Sequence, residues 1–494
     1  MSARGRPENW FSFPRSPGHN HRIQVTEQTH DGFRWRLADD FAPLLPSLLR
    51  AQPTAVIKDD RAKFVGRYEV GGRAFYVKRY RHGAFGLRPL KYILKRSPAE
   101  QEWRLARAME ARHLPIVRHV ALGERWTLRG LVESVLITEA FDGVPLERRH
   151  EPFFPLVNTL VQQLARGGVA HYDLHPANLL LNEARQELRL IDLYGAKIQD
   201  RASRDDLRDV MLTQLCVSLP LPVNDDVRRM SRVLRRDKLA ERSRRCLKSN
   251  RDFAARSFDG PRWQYRRAAL APSVESILRD PDGFLARARV LKAGRSATVG
   301  AADGLVLKRH NFRKLLNPIK DLFRGSRGRR DFHKAYHLEL CELPTAQVLA
   351  TADRRFLGLP LRSYVLMREL TDAVDAAHAP DADLVNLAQL LAWLHTDGFT
   401  HRDLKETNIL FDANGVPHLI DLDGLKFVKT VPTEETAANL RRLALGLQAA
   451  GKLTRGNTIR FLHAYCRERG LFPRAIFPRD RRQSRPAGGA EKKF

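Results

Sequence analysis

The chain is poor in cysteine, in long apolar runs and in acidic residues. Four cysteines, Cys216, Cys246, Cys341 and Cys466, are scattered over 494 residues with no CxxC spacing. That excludes a disulfide framework or a cysteine zinc site and fits a reducing cytosol. Apolar stretches are short and broken by charges, so no membrane-spanning helix is expected. The opening MSARGRPENWFSFPRSP is charged with no apolar stretch behind it, so no secretory signal is expected either. The 56 Asp and Glu face 86 Lys and Arg, a formal net charge of +30, and only 19 of those cations are Lys. Such an excess points to an anionic partner: nucleic acid, anionic lipid or a phosphorylated glycan. The bland alternative is an Arg bias spread over solvated faces. Apolar residues make up 43%, which excludes wholesale disorder, and the length predicts more than one domain.

What is present is a repeat of about half the chain. PLKYILKRS at Pro89 matches PIKDLFRGS at Pro318, and SLLR at Ser47 matches SILR at Ser276, both at an offset of 229. Lys78 in YVKRYRH matches Lys308 in LVLKRHN, and Asp173 in HYDLHPAN matches Asp403 in HRDLKETN, both at 230. Asp192 in LRLIDLYG matches Asp421 in PHLIDLDG at 229. One register held over five landmarks indicates a duplicated domain, because the period is far too long for a solenoid. The expected division is a basic, flexible 1–22, a first copy over 23–236, a second over 237–471 and a loose basic tail over 472–494. Residues 225–267 carry 15 Lys and Arg against six Asp and Glu, and the first part of this stretch reads as a basic helical connector.

Each copy shows the same order of elements. A strand ending in Lys (AFYVK; GLVLK) is followed by a helix, another strand, and a long amphipathic helix stopped by Gly. A polar loop with Asp and Asn comes next, then two short strands around a turn, then more helix. The expected class is α+β: two tandem domains, each a small β-rich lobe ahead of a larger helical lobe.

HRDLKETN from His401 to Asn408, followed by DLDG from Asp421, is the catalytic-loop pattern of the protein-kinase-like fold. Phosphoryl transfer needs a carboxylate near the attacking hydroxyl, assigned to Asp403. It needs oxygen ligands for Mg2+, supplied by the Asn408 amide and the Asp421 carboxylate. Lys405 can reach the transferring phosphate. Lys308 would neutralise the phosphates of ATP, held by Asp331 on the next helix, and Gly294 would let the covering loop approach the nucleotide. The first copy repeats the set as Lys78, Glu102, Asp173, Asn178 and Asp192, with His175 where the second has Lys405. A lone Asp–Asn loop is usually a turn or cap; here that reading would have to hold twice, in register.

Three departures stand out. Neither copy has a GxGxxG: the second offers Gly294 and Gly300, the first only Gly66, past the expected bend. Asp331 is one methylene shorter than Glu102, so its ion pair with Lys308 is expected to be strained or water-bridged. Neither copy has an APE-like segment after the second Asp. Asp423 is an alternative ligand to Asp421. Trp103 and Phe332 are expected to be core anchors, and His171 and His401 to brace their loops.

Together VKRY-like text at Lys78 and Lys308, the EW or DF pair opening the helix, the LP turns at Pro115 and Pro344, HRDLKETNIL and LIDLDGLKF resemble the lipopolysaccharide kinase family of heptose and Kdo kinases. The resemblance runs from about Asn20 to Leu471. It implies ATP with Mg2+ and a sugar hydroxyl of the lipopolysaccharide core as acceptor, at the cytoplasmic face of the inner membrane. The protein would then be cytoplasmic and peripheral, with cations of the connector or tail meeting the anionic inner-membrane surface, and no nucleic acid as partner. The second copy is expected to be the better-equipped catalyst. The rivals are a protein kinase and a pseudokinase-type assembly module.

Overall fold

The computed structural model describes residues 25–83, 88–128, 130–147, 150–311, 324–356 and 359–476. The basic segment 1–22, most of PIKDLFRGS and the end of the basic tail lie outside these residues. The chain divides into two compact units, Met1–Leu234 and Arg235–Phe494.

The first unit opens with an antiparallel sheet of β1 (Val25–His30), β2 (Phe33–Ala38), β3 (Ala55–Asp59), β4 (Lys63–Val70), β5 (Arg73–Arg81), β6 (His119–Thr127) and β7 (Gly130–Glu139). Their order across the sheet is β1-β2-β6-β7-β5-β4-β3. Helix α1 (Leu45–Arg50) lies between β2 and β3, and α2 (Arg88–Leu94) and α3 (Pro98–Glu110) lie between β5 and β6. Helix α3 starts where Ser97 accepts a hydrogen bond from Glu100 N, with Pro98 at its first position. It presents Glu102, Trp103, Ala106 and Met109 inward.

The helical lobe is built on α4 (Phe154–Arg166) and α5 (Arg204–Leu215), with short strands β8 (Val144–Pro145), β9 (Val169–His171), β10 (Leu179–Asn182), β11 (Glu187–Leu190) and β12 (Ala196–Ile198). Val157, Leu160, Val161 and Leu164 recur at the spacing of one helix face and are all buried. Each contributes roughly 1.5–3 kcal/mol of burial. Gly168, at φ +73°, turns the chain into β9.

The second unit repeats this plan. Helix α6 (Asp225–Ser243) carries the chain across the division; the sheet then follows as β13 (Phe253–Ser257), β14 (Arg262–Arg266), β15 (Arg289–Ala293), β16 (Ala297–Ala302), β17 (Leu305–His310), β18 (Val348–Phe356) and β19 (Leu359–Arg368). The order is β13-β14-β18-β19-β17-β16-β15, the same permutation. Helices α7 (Pro272–Arg279) and α8 (Pro281–Arg287) precede β15, and α9 (Arg327–Leu340) takes the place of α3, capped by Ser326. The helical lobe has α10 (Leu384–Thr396), α11 (Thr433–Ala449), α12 (Arg455–Arg469) and α13 (Pro473–Ile476), with β20 (Val374–Asp375), β21 (Phe399–His401), β22 (Ile409–Phe411), β23 (Pro417–Leu419) and β24 (Leu425–Phe427). Helix α10 is apolar nearly all round and forms the centre of this lobe's core.

In both units a single parallel bridge ties the lobes at equivalent places, Ile116 to Leu190 and Thr345 to Leu419. The units are therefore two copies of a protein-kinase-like α+β domain. Three details differ from the sequence reading. The Lys strands run on past Lys78 and Lys308, to Arg81 and His310. Residues 253–266 of the basic stretch are a hairpin of the second sheet, and the helical connector is Asp225–Ser243 with a 3-10 turn over Arg244–Leu247. Pro473–Ile476 forms a helical turn that buries Ile476, where the sequence reads as loose tail.

Candidate active site

In the second unit the site lies in a cleft of about 830 Å³ between sheet and helical lobe. Ala297, Val299, Val306, Val365 and Met367 line it from the sheet, and Leu410 and Ile420 from the helical lobe. Lys308, Asp331, Asn408 and Asp421 line the same cleft. Apolar walls and charged groups share it, as a purine nucleotide with its phosphates requires.

Lys308 projects from β17 with its ammonium 2.8 Å from Asp421 Oδ1 and 3.5 Å from Asp331 Oδ2. Burial works to lower the Lys308 pKa, but the two carboxylates outweigh it and raise the value above the usual range. Asp331 is buried on α9 and accepts a hydrogen bond from His310 Nε2 at 3.1 Å. Burial pushes its carboxyl up, and His310 and Lys308 together bring it down to about 2. The short Asp331 side chain thus leaves a long pair with Lys308, as its length implies, and His310 fills in. In the first unit Glu102 reaches Lys78 at 2.9 Å and His119 Nε2 at 3.4 Å. His119 lies on β6 and His310 on β17, so each copy supports its acid with a histidine from a different strand.

Asp421 and Asp192 both have left-handed backbones, φ +54° and +57°. A non-glycine residue there costs about 1 kcal/mol. The conformation presents each Asp carbonyl to a histidine, which donates from Nε2: His401 to Asp421 O at 3.1 Å and His171 to Asp192 O at 3.0 Å. Burial lowers both imidazole pKa values, so the rings stay neutral. Both histidines brace the loops. Asn408 Nδ2 donates to Asp403 O at 2.8 Å, leaving its amide oxygen for a cation. Asn178 does the same toward Asp173 O at 3.3 Å. Asp403 is exposed and pairs with Lys405 at 3.0 Å. Trp103 and Phe332 are buried beside the acids, as core anchors.

Among the described residues no cluster of three or more His, Cys, Asp or Glu is placed to hold a metal. The hard-oxygen pair Asn408 and Asp421 suits Mg2+, which normally completes its shell with phosphate oxygens and water. The donor chemistry therefore fits Mg2+ together with a nucleotide.

Three features escaped the sequence reading. Lys334 on α9 donates to Leu422 O at 2.8 Å and Asp423 O at 3.0 Å, pinning the turn that carries Asp421. Its first-unit counterpart is Leu105. The strand registers align Lys58 opposite Val65 with Lys292 opposite Val299. Asp60, not Gly66, therefore occupies the Gly294 position; each donates its N–H across the hairpin, to Lys63 O and Ala297 O. The Asp60 carboxylate accepts the N–H groups of Ala62 and Lys63 at 2.8 Å each. Lys63, where the second unit has Ala297, puts its ammonium 5.0 Å from the Tyr80 ring centroid, and burial and then Lys78 lower its pKa. The signal for both was the four-residue change of offset between β3–β4 and β15–β16, which motif matching passes over.

A lobe pair of this topology, with a Lys–acid pair, a histidine-braced Asp and an Asp–Asn loop, defines a phosphotransferase of the protein-kinase-like superfamily. A family model described as "Lipopolysaccharide kinase (Kdo/WaaP) family" matches residues 55–233 and 314–465. The chain belongs to that family and is a kinase. Among solved structures, "WaaP in complex with acyl carrier protein" aligns at 20% identity and TM-score 0.29, over 38% of this chain and 83% of that one. "Structure of the Cydia pomonella Granulovirus kinase, PK-1" aligns at 16% and 0.23, over 32% and 59%. No curated protein sequence matches the chain. Among the described residues no helix is long and apolar enough to cross a membrane.

Proposed function

We propose that the second unit transfers the γ-phosphoryl group of ATP to a hydroxyl of an inner-core sugar of lipopolysaccharide, a heptose or Kdo. The observation that carries this is the convergence of Lys308, Asp331, Asn408 and Asp421 in the lining of one cleft, with the Asn408 amide bonded to the carbonyl of Asp403. The adenine occupies the slot between Val299 and Leu410. Lys308 leaves Asp421 for the nucleotide phosphates and keeps Asp331 as its counter-charge. Mg2+, held by Asn408 and Asp421, would neutralise charge on the phosphates. Asp403 orients the sugar hydroxyl and takes its proton late, while Lys405 supports the moving phosphoryl charge. The domains are assigned to 23–236 and 237–471. The protein works at the cytoplasmic face of the inner membrane, peripherally, where its acceptor is anchored.

A protein acceptor is disfavoured by the segment between β24 and α11, which is only residues 428–432. Regulated protein kinases need a longer stretch there to hold a peptide. The first unit is read as a supporting module. Its covering hairpin keeps two N–H groups for Asp60, and Lys58 holds that carboxylate in place at 3.1 Å.

The test offers radiolabelled ATP, lipopolysaccharide core and a generic protein side by side. Label is expected in the glycan alone. Asp403→Asn is expected to lower turnover by about 10²–10⁴, and Asp173→Asn to leave it unchanged. Label in protein, or an Asp403→Asn rate near wild type, removes the reading.

A further inference from the structure

Helix α2 turns its apolar stripe outward. Leu90, Ile93 and Leu94 lie on one helix face and are 44%, 59% and 91% exposed. Pro89 is buried instead, and the Tyr92 ring packs 4.4 Å from that of His82. Gly130, at the start of β7 with φ +99°, has no Cβ; one there would come within 2.4 Å of Pro89 O. This glycine seats α2 directly against the β6–β7 hairpin. Beyond the contact Trp126 is 40% exposed and Leu128 fully so. Lys91 and Lys95 are exposed alongside. The acids nearest the end of the hairpin are paired within the protein: Glu124 accepts from Ser97 and meets the Trp126 side chain, and Glu133 pairs with Arg125. The outward face is therefore apolar and cationic.

The sequence keeps this pattern in its second copy. At the offset of 229, Leu90, Lys91, Ile93, Leu94 and Lys95 correspond to Ile319, Lys320, Leu322, Phe323 and Arg324. In the second copy the correspondence is one of residue types, because 312–323 lie outside the described residues.

We propose that α2 and the end of the β6–β7 hairpin in the first unit form a docking surface for an anionic lipid bilayer. The proposal rests on the reading that the acceptor is lipid-anchored. A bilayer is the occupant because the apolar residues protrude as a ridge rather than line a groove. A fluid interface closes around a ridge, and the flanking Lys side chains reach its anionic headgroups.

The experiment is cosedimentation of the full chain with phosphatidylcholine vesicles, with and without about 30% phosphatidylglycerol. Wild type is expected to bind only the anionic vesicles, more weakly as salt rises. Leu94→Ser with Leu128→Ser is expected to weaken binding about tenfold or more, and Lys91→Gln with Lys95→Gln several-fold. Both variants are expected to keep the wild-type melting temperature and rate on delipidated core oligosaccharide. Wild-type binding by the apolar variant overturns the proposal, as does failure of wild type to bind anionic vesicles. So does a wild-type oligomer that the apolar variant loses, since a second copy would then cover the ridge. If delipidated core is not phosphorylated while vesicle binding follows α2, the core-sugar reading fails and the docking surface stands.

Discussion

Lys334 sits three residues after Asp331 on α9, so one helix holds both the counter-ion of Lys308 and the turn that aims Asp421. Its ammonium is drawn away from water onto two carbonyls, and burial lowers its pKa. Replacing it by Leu, as the first unit has at 105, leaves both carbonyls without that donor, at about 1–3 kcal/mol. Lys334→Leu is expected to lower kcat about tenfold with little change in nucleotide KM, and Lys334→Arg to recover part of the loss. Steady-state kinetics of the three proteins check this; unchanged kcat in Lys334→Leu would reduce the residue to surface chemistry. The grouping of Lys308, Asn408 and Asp421 in one cleft was legible because their types and spacing follow the pattern that phosphoryl transfer asks for. Lys334 was not, because a Lys on an amphipathic helix carries no pattern. Only the fold shows that its stem runs under a turn about ninety residues away.

At the scale of elements, the strands and helices were legible from the repeated order of Lys strand, helix and Gly-stopped helix. The covering hairpin was not: its offset slips by four residues, and Gly66 looked like the nearest glycine although Asp60 occupies the bend. Helices α9 and α10 carry a second property hidden from motif reading. His337 and His395 are buried on them, 4% and 2% exposed, and burial pushes both pKa values down to about 4 from 6.5. An unfolded chain binds these protons between pH 6.5 and 4 and the folded one does not, so stability is full above 6.5 and falls as pH drops toward 4. Each contributes on the order of 3 kcal/mol by the lower end. Asp331 and Glu102, brought down to about 2 from 3.8 and 4.5, also lose their contribution as pH falls, but over a lower range, from about pH 5 toward 2. The expected result is a steady fall in melting temperature from about pH 7 to about pH 5, above the range in which Asp331 and Glu102 lose their contribution. A flat profile over that range would mean the imidazoles are solvated.

At the scale of the whole molecule, duplication supplies two sets of the motif residues, yet the two covering hairpins differ in charge, with Asp60 and Lys63 where the second unit has Gly294 and Ala297. In the second unit Gly294 leaves the bend without a side chain, and Asn311 ties it back through Gly294 O at 3.1 Å. In the first, Asp60 satisfies the bend's own N–H groups; those bonds and Lys58 hold its carboxyl down to about 2. At neutral pH that is a fixed negative charge where phosphate oxygens would come, next to donors already used. Lys63 adds a cation beside Lys78, which offers the Asp192 region a positive charge from the protein itself. A non-hydrolysable ATP analogue is therefore expected to bind with a stoichiometry of about one per chain. Lys308→Met is expected to abolish that binding and Lys78→Met to leave it intact, measured by calorimetry on the full chain. Asp60→Gly, which gives the first hairpin the residue of the second, is expected to raise the stoichiometry toward two. Two sites in wild type, or loss of binding in Lys78→Met, would make the first unit a nucleotide-binding domain in its own right and Asp60 an ordinary turn residue.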